Sequence, residues 1–241
     1  MKTRPVTLRP QFAFTLIELI TVIAIIAILM ALLFPAMSGA RDSARRSKAS
    51  TVVRSIVNAS KNYSNDYGKY PPIAAALVAT SGGGGTGASR ADSNSYYSYG
   101  DKDKAKCKVN NSDLFDVLRA IAREPNDDHK LNRRQQKYFE EAKANDVKNP
   151  REGFADGKEF PEDIQGQLLD PWGTQYCVIL DADGDEVLQL SEFFQDEKEA
   201  IRFSAAAFSM AKNQDIGGKG YTGRLRKERS NEAPEDIVSW Q

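Results

Sequence analysis

The sequence predicts an α+β fold in which one long N-terminal helix packs on a small C-terminal antiparallel sheet. Three observations predict it. Residues 14–37 form an almost unbroken apolar run, apolar residues then recur at three- or four-residue spacing to about residue 65, and the last third breaks into short β-type runs around turn residues. The 241 residues carry 33 basic and 33 acidic side chains, and the mean hydropathy is −0.51. A balanced charge gives no general attraction to nucleic acid. A polar average that includes so long an apolar run leaves the remainder as a strongly solvated head.

Between Phe14 and Pro35 the polar side chains are Thr15, Glu18 and Thr21. As a helix rising about 1.5 Å per residue, the run to Met37 is about 36 Å long, enough to cross a hydrocarbon core of about 30 Å. Lys2, Arg4 and Arg9 precede it without an acidic residue, which reads as a cytoplasmic flank. Arg41, Arg45, Arg46 and Lys48 follow on the other side, so charge counting leaves the orientation open. Ser38-Gly39-Ala40 offers small residues to a signal peptidase. Against a secretory signal peptide, the apolar run exceeds the roughly 7–15 residues usual for one and contains a carboxylate. That carboxylate, Glu18, costs on the order of a few kcal/mol at a bilayer centre, which marks it as functional unless it simply reaches the headgroup layer.

Phe14-Thr15-Leu16-Ile17-Glu18-Leu19 followed by an apolar helix resembles the class III signal of type IV pilins and type II secretion pseudopilins. The resemblance implies that a prepilin peptidase cuts between Ala13 and Phe14 on the cytoplasmic side and N-methylates Phe14. Ala13 stands where the family usually has glycine. Glu18 matches the family's glutamate, proposed to pair with the Phe amine of a neighbouring subunit, and Pro35 sits where many type IV pilins carry a helix proline. Processing removes three basic side chains from a balanced chain, so the mature form is mildly acidic. The implied fold is pilin-like.

Along the rest of the chain, Ala44, Val52, Ile56, Ala59 and Tyr63 extend one helix from Phe14 to about Asn65, which Gly68 and Pro71-Pro72 end. The predicted organisation is a leader 1–13, an assembly helix 14–37, its amphipathic continuation 38–65, a Gly/Ser/Tyr-rich loop region 66–111 and a head 112–241. Tyr96, Tyr97 and Tyr99 belong to that loop region, either packed locally or as a partner contact. Gly82 to Gly85 lack the Gly-Lys-Ser/Thr of a phosphate cradle. Ser112 is the expected cap of a short helix bearing Leu114, Val117, Leu118 and Ile121, and a charged helix is expected over 133–144. Strands are expected at 174–180, 187–190 and 202–210, the first two flanking an Asp-rich turn.

Asp170-Pro171-Trp172-Gly173-Thr174 resembles the signature before the sheet of major pseudopilins, and Phe208-Ser209 with Asp215 and Glu235 to Trp240 resembles their C-terminal motifs. The likeness covers the first 70 or so residues and the last 75, leaving the middle an unmatched insertion. It implies calcium in the C-terminal loop, with Asp215 and Asp236 as the matching ligands, although that loop is basic from Lys219 to Arg229. A second metal candidate is Asp181, Asp183 and Asp185, whose alternation with Glu192 fits part of an EF-hand loop; the competing reading is a hairpin turn. Cys107 and Cys177 either pair or stay as buried thiols, since spacing cannot show proximity. His129 has no accompanying constellation and reads as a surface residue.

The function these readings support is a structural, non-enzymatic subunit of a type II secretion pseudopilus. Expected partners are its own copies and other pseudopilins, the prepilin peptidase, an inner-membrane assembly platform with its ATPase, and membrane lipid. The expected location is the bacterial inner membrane, crossed once, with the N-terminus cytoplasmic and the head periplasmic. The alternative is a type IV pilus subunit for adhesion or DNA uptake, with the tyrosines and the Lys219–Arg229 stretch as contact surfaces. An anchored periplasmic binding protein or enzyme is the third reading, and no nucleophile, base and orienter can be assembled for it.

Overall fold

The computed structural model describes residues 15–72, 96–102, 107–188, 202–213 and 237–239. The chain divides into two units, residues 1–44 and 45–241. The first contains the apolar part of helix α1, which as a whole runs Leu16–Tyr67 over 52 residues. Leu16–Leu33 is long and apolar enough to cross a membrane, with a mean hydropathy of 3.0, and is left exposed by the described residues. Leu16, Ile17, Leu19, Ile28 and Leu32 are all exposed. A helix is the only open-ended structure whose backbone needs no outside partner in lipid.

In the second unit α1 becomes one-sided. Ala49, Val52, Val53, Ile56, Ala59 and Tyr63 are buried, while Thr51, Arg54, Asn58 and Lys61 face solvent. The buried stripe starts at Ala49; Ala44, expected to belong to it, is exposed. Gly68 takes φ +71° and donates its N–H to Ser64 O at 2.7 Å, closing the helix with a left-handed residue that only glycine adopts cheaply.

The α+β, pilin-like fold expected from the sequence is the fold observed. Strands β1 (Tyr96–Tyr99), β4 (Cys177–Asp181), β5 (Ala205–Ser209) and β6 (Ile237–Val238) form an antiparallel sheet in the order β1-β4-β5-β6. Strands β2 (Gly153–Phe154) and β3 (Leu168–Leu169) make a separate two-stranded ladder. The central strands are buried on both faces. Val178, Leu180, Ala205 and Ala207 join the main core with the α1 stripe, Tyr99, Phe115 and Phe154, whereas Cys177, Ile179, Ala206 and Phe208 join a second cluster with Tyr96, Cys107, Leu188 and Met210. This is the period-two alternation of a pleated strand covered on each side.

Three expectations need correction. Tyr96, Tyr97 and Tyr99 are the edge strand β1, with Tyr96 and Tyr99 buried and the Tyr99 hydroxyl donating to Pro71 O at 2.6 Å. Aromatic residues favour strands, and the Gly/Ser-rich neighbourhood masked that preference. The short helix, α2 (Asn111–Leu118), has Asn110 at its N-cap; Ser112 lies in its first turn, and Ile121 lies past its end. Asn111 is committed elsewhere, donating to Leu168 O (2.8 Å) and Tyr176 O (3.0 Å) while accepting from Leu168 N (3.1 Å). Residues 133–144 form no helix, because neighbours take their backbone groups. Asn132 donates to Gln136 O at 2.8 Å, Tyr138 N donates to Leu118 O at 2.8 Å, and Phe154 N donates to Ala142 O at 2.9 Å. Of the strand expected at 187–190, Leu188 is buried and residues 189–190 lie outside the described residues, as does the Gly-rich stretch 81–95.

Arg123 grips the Asp116 carboxylate with Nε at 2.5 Å and Nη2 at 2.6 Å, next to the end of α2. Burial lifts the Asp116 carboxyl from its ordinary 3.8 to about 6, against the opposing pull of Arg123. The folded protein therefore holds a proton that the unfolded chain has lost between pH 4 and 6, and this group adds stability as the pH falls through that window. In thermal melts of the full-length protein in detergent, the melting temperature of the wild type relative to Asp116→Asn is expected to rise on going from pH 7 to pH 5.

Candidate functional site

Two regions carry the residues singled out in the sequence. The first is the start of α1. Ala13 and Phe14, the residues of the expected cut, lie outside the described residues. Glu18 lies in the first helical turn and is exposed. Its Oε2 accepts from Thr15 N at 2.9 Å and from Thr15 Oγ1 at 2.7 Å, while Glu18 N donates to Thr15 Oγ1 at 3.3 Å. This is a reciprocal capping box, Thr at the N-cap and Glu three residues on, satisfying donors that a helix start leaves open. The Thr-x-x-Glu spacing was present in the sequence and signals this arrangement by itself. Pro35 lies within the continuous helix backbone, and its side chain is outside the described residues.

The second region is the entry to the sheet. Asp170 is fully buried. Its Oδ1 accepts from Trp172 N and Thr174 N, both at 2.9 Å, and its Oδ2 accepts from Thr174 Oγ1 at 2.7 Å and Ser209 Oγ at 2.6 Å. Two bonds shape the Pro171-Trp172-Gly173 turn, and the last ties that turn to the end of β5. Ser209 Oγ also accepts from Ala211 N at 3.1 Å, fixing the exit of the strand. Two sequence motifs that lie far apart along the chain are thus one hydrogen-bonded unit. A buried carboxylate survives only when its lone pairs are satisfied, and here four donors do so.

Of the metal candidates, Asp215 and Asp236 lie outside the described residues. Asp181, Asp183 and Asp185 do come together, with one ligand atom from each within 4.8 Å of the others. Asp181 is buried and the other two are exposed. Asp181 accepts from Asp183 N (3.0 Å), Gly184 N (2.8 Å) and Glu186 N (2.8 Å), and Asp183 and Asp185 each accept from the backbone N–H two residues on. Slight desolvation in the turn and the neighbouring Asp181 raise the Asp183 carboxyl above its ordinary range. The carboxylates bind the turn's own backbone, as in a self-supported turn, and the oxygen-only set also suits a hard cation.

His129 is half-buried with its Nδ1 shielded from solvent, and it stands apart from any thiol or carboxylate triad among the described residues. A cleft of about 570 Å³ is lined by the charged Arg119, Lys137, Glu140 and Glu141 and the apolar Ile121 and Ala142.

The chain matches the family model of the prokaryotic N-terminal methylation motif over residues 8–34. No curated protein and no solved structure matches it. The matched segment contains the expected cut, Glu18 and the greater part of the apolar helix.

Replacing Asp170 by alanine strands four donors, two of them backbone N–H groups. The expected cost is about 3 kcal/mol or more, and Asp170→Asn, which keeps one acceptor and lets the hydroxyls rotate, is expected to cost less. Chemical denaturation of the full-length protein in detergent, followed through its tyrosine signal, measures both.

Proposed function

We propose that the chain, a type IV pilin-like subunit by its methylation motif and apolar helix, is a structural subunit of a type II secretion pseudopilus. Prepilin peptidase removes the leader between Ala13 and Phe14 and methylates the new amine. The helix stays in the inner membrane with the head on the periplasmic side. An inner-membrane platform and its ATPase then stack subunits through their helices, and the growing filament drives protein export. A structural rather than catalytic role accords with a buried site whose polar groups are spent on one another.

The observation that carries the choice of pseudopilus is the hydrogen bond from Ser209 to Asp170. It joins the two segments whose sequences resemble major pseudopilins. For calcium, the described residues offer Asp181, Asp183 and Asp185, and the resemblance offers Asp215 and Asp236.

Glu18 has a defined part in this reading. Cleavage creates an α-amine with a reference pKa of about 8, cationic at neutral pH and costly to place in an apolar filament core without a counter-charge. Glu18 exchanges its bonds to Thr15 for an ion pair with the Phe14 amine, setting the axial register of neighbouring helices.

Mass spectrometry of the mature protein is expected to find N-methyl-Phe14 at the N-terminus; a terminus at Arg41 would mean cleavage as a signal peptide. Deleting the gene is expected to strip exported proteins from the culture supernatant, and the Glu18→Ala protein is expected to reach the membrane normally but to restore neither filaments nor export. An unchanged supernatant together with lost surface fibres would assign the subunit to a type IV pilus instead.

A further inference from the structure

Cys107 and Cys177 lie far apart in sequence and meet on one face of the sheet. The β1–β4 register pairs Tyr99 with Val178, which brings Gly100 opposite Cys177, the first residue of β4. Beyond Gly100 the chain folds back on itself. Cys107 N donates to Asp101 O at 3.3 Å, Gly100 N donates to Val109 O at 2.8 Å, and Lys108 N donates to Ser98 O at 3.2 Å and to Ser98 Oγ at 3.0 Å. These bonds hold Cys107 beside Gly100. A Cβ placed on Gly100 would lie 2.8 Å from Cys177 Sγ and 2.9 Å from Cys107 Sγ, so the two sulfurs share the space a side chain there would fill. Gly100, at φ +150°, is what lets both approach. Both cysteines are buried in one apolar cluster with Tyr96, Ile179, Leu188, Phe208 and Met210.

We propose that Cys107 and Cys177 close an intramolecular disulfide in the exported protein, stapling the segment before α2 to the start of β4. The proposal rests on the periplasmic placement of the head given above, because an oxidising compartment is where such a bond persists. Each thiol gives up one proton and one electron. The acceptor is a disulfide-bearing oxidant of that compartment, which leaves as a dithiol. One cysteine thiolate attacks the oxidant's disulfide to give a mixed disulfide and expels one oxidant sulfur; the second cysteine thiolate attacks the protein sulfur of that mixed bond and expels the other. Once the head has folded, burial raises the Cys177 thiol well above its ordinary pKa, with the adjacent Cys107 thiol adding to the rise. Exchange therefore proceeds while the head is still open and both sulfurs are in water, and folding then seals the bond.

The loop so closed contains α2, β2 and β3, so the bond restricts a large part of the unfolded head. Breaking it in the full-length protein is expected to lower the melting temperature by roughly 5–15 °C.

The test uses full-length protein extracted into detergent without reductant and alkylated after denaturation. A peptide pair joined through Cys107 and Cys177, with both positions unalkylated until reductant is added, is the expected result. Cys107→Ser is then expected to expose one alkylatable thiol and to melt where the reduced wild type does, and the reduced wild type itself supplies this comparison should Cys107→Ser fail to fold. Two thiols alkylated in the extracted protein, with the intramolecular bond forming when a parallel unalkylated sample is refolded from denaturant in the presence of glutathione disulfide, would overturn the exported state while leaving the geometry standing. Two thiols that remain alkylatable after that oxidative refolding would overturn the pairing itself.

Discussion

A carboxylate with no water around it must be surrounded by donors, and the architecture of the sheet follows from how Asp170 meets that demand. Its two oxygens collect a backbone turn, a threonine hydroxyl and the Ser209 hydroxyl. The first three fix the direction in which the chain leaves β3 and enters β4. The fourth fixes where β5 ends. Because β4 and β5 are themselves paired from Cys177–Phe208 to Leu180–Ala205, one side chain sets the relation of a turn, a ladder and a strand exit. Apolar burial supplies the larger share of the stabilisation, but it is indifferent to register, and the directional bonds at Asp170 are not.

Helix α1 answers two different solvents with one backbone geometry. In its first turns every exposed side chain is apolar except for a glutamate and threonines, which suits lipid or the helices of neighbouring subunits. From Ala49 onward the same 3.6-residue period separates a buried stripe from a charged face. The uncapped donors at its start are met internally by Thr15 and Glu18. A residue that looked costly within an apolar run is therefore also the residue that completes the helix.

Much of the fold was legible because its signals are local. The apolar run and its three-and-four spacing placed α1 to within about two residues at each end, and the runs around 174–180 and 202–210 located β4 and β5. What could not be read depends on partners distant in sequence. Tyr96–Tyr99 became a strand because β4 needed an edge partner, and residues 133–144 stayed irregular because Leu118, Asn132 and Phe154 claimed their backbone groups. The adjacency of Cys107 and Cys177 depends on the β1–β4 register, which no spacing rule supplies. At the candidate site, both halves of the Asp170–Ser209 unit were visible as motifs, whereas the bond between them was not. The capping box at Glu18 was readable from Thr15 and missed in favour of the membrane argument.

The edge strand β6, Ile237–Val238, lies beside the end of β5, far along the chain from helix α1. A ribosome makes the apolar helix first, so that segment can enter a bilayer while the edge of the sheet has not yet been synthesised. Until β6 emerges, β5 offers a row of unpaired N–H and C=O groups along one side. Closing the sheet therefore waits on contacts of long sequence separation, which form slowly. A head whose sheet is still open can pair with the wrong strand, so the order of synthesis places a premium on keeping newly made chains apart until β6 has closed the sheet.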